Sequence, residues 1–420
     1  MTPAAKPLLL EARGRMLYLA YEAQRAAFLP ARLMAGATKA ALSTLPDAAA
    51  ESRPVRTLAA ACEMLMRAEL THVRPAFGIE SIQIGTAGYD VVEEVTHATA
   101  FGSLVHFRKI GAPAGPRVLV VAALAGHFAT LLRDTVETLL PDHDVYITDW
   151  FNARDVPLAA GPFGLDDYIG HVIDYLELLG PGTHLLGVCQ PCPAALAATA
   201  ILAERGSDCV PRSLTLMAGP VDTRSNPTAV NDLATSTSLS WFEDNVIFTV
   251  PMGRKGAGRR VYPGFVQLTA FASMNIGRHI SQHVTLFHDL ATGEDAEAQV
   301  ISTFYDEYFA VLDLHADYYL QTVDRVFMRH LLPKGELTWR GQKVDPSAIT
   351  RTGLMTVEGE RDDICGLGQT MAAHELCSNV PAQRHAHHLQ LGVGHYGVFS
   401  GRRWRQESYP MVRNFILRND

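Results

Sequence analysis

The reading of the whole chain turns on Thr183-His184-Leu185-Leu186-Gly187-Val188-Cys189-Gln190-Pro191-Cys192-Pro193 and the alanine-rich run that continues to Glu204. His184 to Val188 is a short apolar run with the length of a buried strand. From Ala194 to Glu204 nearly every residue is a good helix former. The chain must bend sharply between the two, and Cys189 sits at the bend. Gly187 brings no side chain to crowd it, and Pro191 falls in the first helical turn, where a missing N–H leaves no hydrogen bond unmade. Such an elbow aims Cys189 at a helix N-terminus, whose partial positive charge favours a thiolate. Two other readings fit the same residues. A cysteine in an apolar turn is often a small buried hydrophobe, and Cys189-Gln190-Pro191-Cys192 has the spacing of a redox pair, which also lies between a strand and a helix.

The flanking sequence separates these readings. Upstream, Arg117 to Ala122 is an almost wholly apolar strand, as expected of a parallel strand covered on both faces. A loop, Ala123 to Phe128, and a helix from Ala129 to Leu140 follow. Asp144 to Trp150 is the next strand, and a helix from Leu165 to Leu179 ends at Gly180-Pro181-Gly182. Beyond the elbow helix, Ser213 to Met217 is a further strand. Strands and helices thus alternate from 117 to 217, which predicts a parallel, doubly wound sheet already too deep for a thioredoxin domain. Glu93 to Thr99 and Ser103 to Arg108 read as an antiparallel pair ahead of it.

Alternation stops at Asp222. From Thr223 to about Leu332 the sequence is mostly helical and rich in aromatic residues, the pattern of a cap inserted between sheet strands. Arg254 to Arg260 reads as a flexible basic loop. The sheet resumes at Thr352 to Val357, which leads into Gly359-Glu360-Arg361-Asp362-Asp363. A strand ending in Gly-x-x-Asp makes Asp362 a candidate acid, with Asp363 as the close alternative. His385, His387 and His388 alternate on a further strand without a carboxylate or cysteine at ligand spacing, so no metal site is expected there. Gly394-His395-Tyr396-Gly397 then places a histidine in a glycine-rich loop before the last helix.

Nucleophile, acid and base in the order Cys189, Asp362, His395 follow the chain order of an α/β-hydrolase triad. Each lies just past the C-terminal end of a predicted strand, the edge where open α/β sheets build their sites. The fold class is therefore α/β, an α/β-hydrolase with a mostly parallel doubly wound sheet, a helical cap and an N-terminal helical extension. Its divisions are 1–76 for the extension, 77–222 for the first part of the core, 223–335 for the cap and 336–420 for the second part of the core. The oxyanion donors expected are the N–H of Gln190 and that of Leu124 or Ala125. Trp241 and Phe242 of the cap, with His127 and Tyr396 beside the triad, are the candidate substrate-binding residues.

Composition narrows the partners. A net charge of −8 with no basic stripe argues against nucleic acid. Cys62, Cys189, Cys192, Cys209, Cys365 and Cys377 form neither zinc spacing nor a disulfide framework, which fits a reducing cytoplasm. Pro7 to Leu10 is too brief for a signal-peptide core, and no run spans a bilayer. Residues 1–15 read as a tail before a first helix opening at Met16. That helix carries Leu17, Ala20, Tyr21 and Phe28 at helical spacing, and Leu58, Cys62, Leu65 and Met66 repeat the pattern in a second; both stripes are expected to pack on the main domain, an exposed apolar face being the alternative.

Several stretches resemble the intracellular polyhydroxyalkanoate (polyhydroxybutyrate) depolymerases: Gly187 to Pro191, Gly126 to Leu132, Asp149 to Pro157, Leu216 to Arg224, Val357 to Ile364 and Gly394 to Phe399. The likeness runs from about Met16 to the end. In that family a cysteine replaces the usual serine, and the triad maps onto Cys189, Asp362 and His395. The resemblance implies hydrolysis of stored 3-hydroxyalkanoate polyester on cytoplasmic granules, with no cofactor. Water and coenzyme A both stand as acyl acceptors, and the oligomeric state, self-association included, stays open. Cys192 lies outside the pattern. A related synthase-type acyltransferase is the competing enzyme, but its box normally has Gly where Pro191 stands; a non-catalytic granule-binding homologue is the competing class.

Overall fold

The apolar runs seen in the sequence lie side by side at the centre of the computed structural model, which describes residues 5–274 and 276–420. In chain order the first strands are β1 Ser81–Ile84, β2 Ala87–Ala98, β3 Gly102–Lys109, β4 Arg117–Val121, β5 Asp144–Trp150, β6 His184–Val188 and β7 Ser213–Met217. Short strands β8 Phe248–Thr249, β9 Arg260–Tyr262 and β10 Leu314–His315 follow, then a hairpin, β11 Thr338–Trp339 with β12 Gln342–Lys343, and finally β13 Gly353–Gly359 and β14 His385–Gln390. Among the described residues the main sheet has nine strands in the order β1-β2-β3-β5-β4-β6-β7-β13-β14. Pairing is antiparallel from β1 to β5 and parallel from β5 to β14.

Side chains alternate across each parallel strand, so the sheet builds a core on each face. Leu119, Val121, Leu185 and Leu214 point into one, under helices Leu165–Leu179 and Cys192–Glu204. Val118, Val120, Leu186, Val188 and Met217 point into the other, under helices Arg133–Leu139 and Tyr409–Asn419. This is the α/β-hydrolase fold expected from the sequence, with β6 central between β4 and β7.

The insertion after β7 is not all helix. It carries a three-stranded antiparallel sheet, β10-β9-β8, beneath its helices. Nor is the stretch from Arg254 to Arg260 a loose basic loop. Arg259 is buried and donates to the carbonyls of Val156, Pro157 and Gly161, while Arg254 pairs with Glu22 and Arg260 with Glu243. Local composition announced the charges but not the distant acceptors that collect them.

The N-terminal helix runs from Ala5 to Leu42, so positions 5–15 are helical rather than a tail; residues 1–4 of that stretch lie outside the described residues. Its packed face follows the apolar stripe read from the sequence only at Tyr21, which stacks on Phe265 with ring centroids 4.0 Å apart. Leu17 and Phe28 are exposed, whereas Tyr18 is wholly buried. The Tyr18 hydroxyl donates to Asp313 Oδ2 at 2.6 Å, and Asp313 Oδ1 accepts the Gly264 N–H at 3.0 Å. Glu22 pairs with Arg154, and Arg25 and Arg32 both reach Glu69. Polar anchors thus overrule the apolar stripe, and the second helix, Arg53–Arg67, likewise buries Cys62 while exposing Leu58, Leu65 and Met66. No helix among the described residues is long and apolar enough to cross a membrane.

Asp313 is fully buried, so the Tyr18 hydroxyl is one of few donors that offset its desolvation. Tyr18→Phe is expected to lower the unfolding free energy by about 1–3 kcal/mol. Urea denaturation measures this, and an unchanged midpoint would remove the Tyr18–Asp313 contact from the account of how the helix docks.

Candidate active site

Cys189 follows directly on β6 and adopts φ 68, the left-handed region that non-glycine residues seldom enter. Holding it there costs of order 1–3 kcal/mol. The strain is sustained because its N–H donates to the Met217 carbonyl at 2.7 Å and its own carbonyl accepts the Cys192 N–H at 3.2 Å, opening helix Cys192–Glu204. Pro191 is the residue before that helix, and Pro193 occupies its first turn. The close approach that needs glycine is not at Gly187, where a Cβ would meet nothing nearer than 3.4 Å. It is at Gly219, where a Cβ would lie 2.1 Å from Cys192 Sγ and 2.7 Å from the Cys189 carbonyl.

That packing accounts for Cys192. Its thiol is buried and directed at the carbonyls of Gly187 at 3.3 Å and Met217 at 3.6 Å, both thiols of the Cys-x-x-Cys are free, and burial pushes the Cys192 thiol well above its usual range. Cys192 fills the elbow, and nothing in this geometry suits a dithiol pair.

Cys189 Sγ lies 3.0 Å from His395 Nε2, and His395 Nδ1 lies 2.8 Å from Asp362 Oδ2. The carboxylate requires Nδ1 to carry a proton and donate, which leaves Nε2 facing the sulfur. The other oxygen of Asp362 accepts the N–H groups of Ile364 at 2.9 Å and Cys365 at 2.8 Å. Asp363, the alternative acid, is exposed. Burial opposes a charge on His395, but Cys189 and Asp362 together outweigh it and hold the ring's pKa well above the ordinary histidine value.

Glu358, on the strand that leads to Asp362, was not singled out in the sequence. It is buried and accepts from the N–H groups of Gly368, Thr370 and Met371, closing the loop that carries the acid. A carboxylate at an inward position of an otherwise apolar strand is the signal that could have found it.

The N–H of Gln190 and that of Ala125 meet no acceptor among the described residues, whereas the N–H of Leu124 faces Gln190 Oε1 at 3.4 Å. Gln267 Nε2 donates to the Ala125 carbonyl, steadying this loop from the cap. Cys189 looks into two cavities. One, about 70 Å³, is lined by His127, Phe128, Leu131, Leu132, His395 and Tyr396. The other, about 430 Å³, runs under the cap and is lined by Leu124, Gln190, Phe242, Leu314, Tyr318 and Thr322 among others. His127 is buried, its Nε2–H donating to the Tyr308 carbonyl at 3.2 Å, and burial lowers its pKa to about 4, so it is neutral. The structure therefore brings His127, Tyr396 and Phe242 to the cavities. Trp241 is not with them: it is exposed and reaches the large cavity only through its edge-on contact with Phe242. His385 and His387 of β14 are tied through His374 and Thr356 into one hydrogen-bonded row.

Comparisons with known proteins bear on this site. Residues 218–420, just under half of the chain and including Asp362 and His395, match the family described as PHB de-polymerase C-terminus. No curated protein matches. Among solved structures the fold is similar to a putative lipase from Acinetobacter baumannii AYE, at 14% identity over 79% of this chain and 93% of that one, TM-score 0.43. It is also similar to a thermophilic esterase from Thermogutta terrifontis, at 15% identity over 78% of this chain and 99% of that one, TM-score 0.40. The nine-stranded sheet and the strained elbow give this chain an α/β-hydrolase fold, and its residues 218–420 are similar to the PHB depolymerase C-terminal family.

Proposed function

We propose that the protein hydrolyses the ester bonds of poly(3-hydroxybutyrate) or a related polyhydroxyalkanoate, with Cys189 as nucleophile, His395 as base and Asp362 as the acid that orients it. One observation carries the reading: an unbroken hydrogen-bonded line from sulfur to imidazole to carboxylate opens on apolar cavities in a chain with a PHB depolymerase domain. His395 takes the thiol proton, and Asp362 stabilises the imidazolium. The thiolate attacks the ester carbonyl. The oxyanion is met by the N–H of Gln190 and one from Leu124 or Ala125, each worth roughly 3 kcal/mol. Gln190 Oε1, an acceptor beside the Leu124 N–H, stands where a substrate oxygen would replace it. The leaving hydroxyl takes the proton from His395, and a thioester remains on Cys189. Water, or coenzyme A in its place, then releases the acyl group.

The apolar walls suit a polyester with methyl branches and no charge along its length. Action on cytoplasmic granules belongs to the same reading.

Incubating amorphous poly(3-hydroxybutyrate) granules with the protein, with and without coenzyme A, is expected to release 3-hydroxybutyrate or short oligomers, and the products distinguish the two acceptors. Cys189→Ala is expected to reduce release by roughly 10³-fold or more while circular dichroism stays native; a variant that keeps most of the activity removes Cys189 from the mechanism. Since His395 binds its proton more tightly folded than unfolded, its contribution to stability is complete below the ordinary histidine pKa. That contribution is lost as pH rises through the raised value. Asp362→Asn is expected to move the imidazole titration down, as followed by NMR of the ring protons. A titration already at the ordinary histidine value in the native protein contradicts the ion-pair description.

A further inference from the structure

The large cavity beside Cys189 is apolar but holds side-chain polar atoms that the protein leaves unused. The hydroxyls of Tyr318 and Thr322 are buried, line this cavity and lie beside each other, neither held in a hydrogen bond of good geometry. They sit four residues apart on helix Ala316–Thr322, so both project from one face, with the Gln190 side chain alongside. The Tyr318 ring is fixed between Tyr168, at 5.1 Å between centroids, and Phe163, at 5.9 Å. Two other phenols in the same wall, Tyr262 and Tyr319, pack 4.1 Å apart and answer each other. The third unused atom, Gln267 Oε1, belongs to an amide already holding the Ala125 carbonyl.

Two buried hydroxyls that can answer only each other still leave one O–H to donate, and a buried donor in that state marks a place for an external acceptor. A poly(3-hydroxyalkanoate) chain supplies such an acceptor in every unit. Each repeat carries one ester carbonyl and, apart from the chain end, no donor; its remaining surface is apolar. A cavity of about 430 Å³ holds more than the ester being cut. We propose that Tyr318 and Thr322 form a carbonyl-binding subsite for a 3-hydroxyalkanoate unit beyond the scissile bond, so that the site recognises a run of ester units. This rests on the reading of Cys189, His395 and Asp362 as a polyester-cleaving triad. Neither hydroxyl takes part in bond making. Both act by donating to a carbonyl that stays intact.

The test compares 3-hydroxybutyrate dimer and tetramer as substrates for the wild type, Tyr318→Phe, Thr322→Val and Thr322→Ser. Tyr318→Phe and Thr322→Val are each expected to raise KM for the tetramer roughly threefold to tenfold and more than for the dimer, with kcat little changed. Thr322→Ser, which keeps the hydroxyl, is expected to restore the tetramer KM. Equal increases for both substrates, no increase, or a fall in kcat at constant KM overturns the subsite while leaving the triad in place. A wild type that cleaves neither oligomer refutes the polyester reading and the subsite with it. Melting temperatures of the variants separate lost binding from lost fold, because a folding defect moves both substrates together.

Discussion

Everything at this site depends on one backbone conformation, the left-handed turn at Cys189. A non-glycine residue stays there only if its surroundings leave it no alternative. They do so because β6 is hydrogen-bonded on both sides, by β4 and β7, and because the adjoining end of β7 continues into Gly219, which has no Cβ to collide with the elbow. The sheet spends some of its stability on that turn. In return a sulfur is presented clear of its own strand, at the mouth of a helix, with a histidine from a distant loop 3.0 Å away.

The same economy of position runs through the other two members. Asp362 receives two backbone N–H groups and directs its free oxygen at His395, so the imidazole has one favourable orientation. Glu358 does for the following loop what Asp362 does for its own turn, collecting three N–H groups in a buried setting. These carboxylates work mainly on backbone, and they convert loops at the strand ends into rigid supports. The insertion after β7 is tied to this edge through Gln267, which donates to the Ala125 carbonyl, and through the Tyr308 carbonyl that fixes His127.

The N-terminal helix shows the limit of reading faces from hydropathy. Of its stripe of Leu17, Ala20, Tyr21 and Phe28 only Tyr21 packs, stacked on Phe265, and the helix docks chiefly through Tyr18, Glu22, Arg25 and Arg32. A buried Asp313 more than two hundred residues away supplies the reason, and no local window contains it. Arg259 makes the same point. Placed in a run of basic residues it read as part of a flexible loop, but three carbonyls of a distant loop take its guanidinium into the interior.

What the sequence determined by itself were the features set by short-range physics: apolar runs that must be covered on both faces, good helix formers between them, and glycine, proline and aspartate where strands end. Those were enough for the parallel sheet and the elbow, and for naming Cys189, Asp362 or Asp363, and His395 as candidates. Tertiary structure alone decided which aspartate faces the histidine, that Cys192 packs against Gly219 instead of pairing with Cys189, that Trp241 stays outside the cavity, and that Tyr318 and Thr322 line it. Each of these depends on which remote atoms fill the space around a side chain, and that is settled only when strands and helices from the whole chain come together.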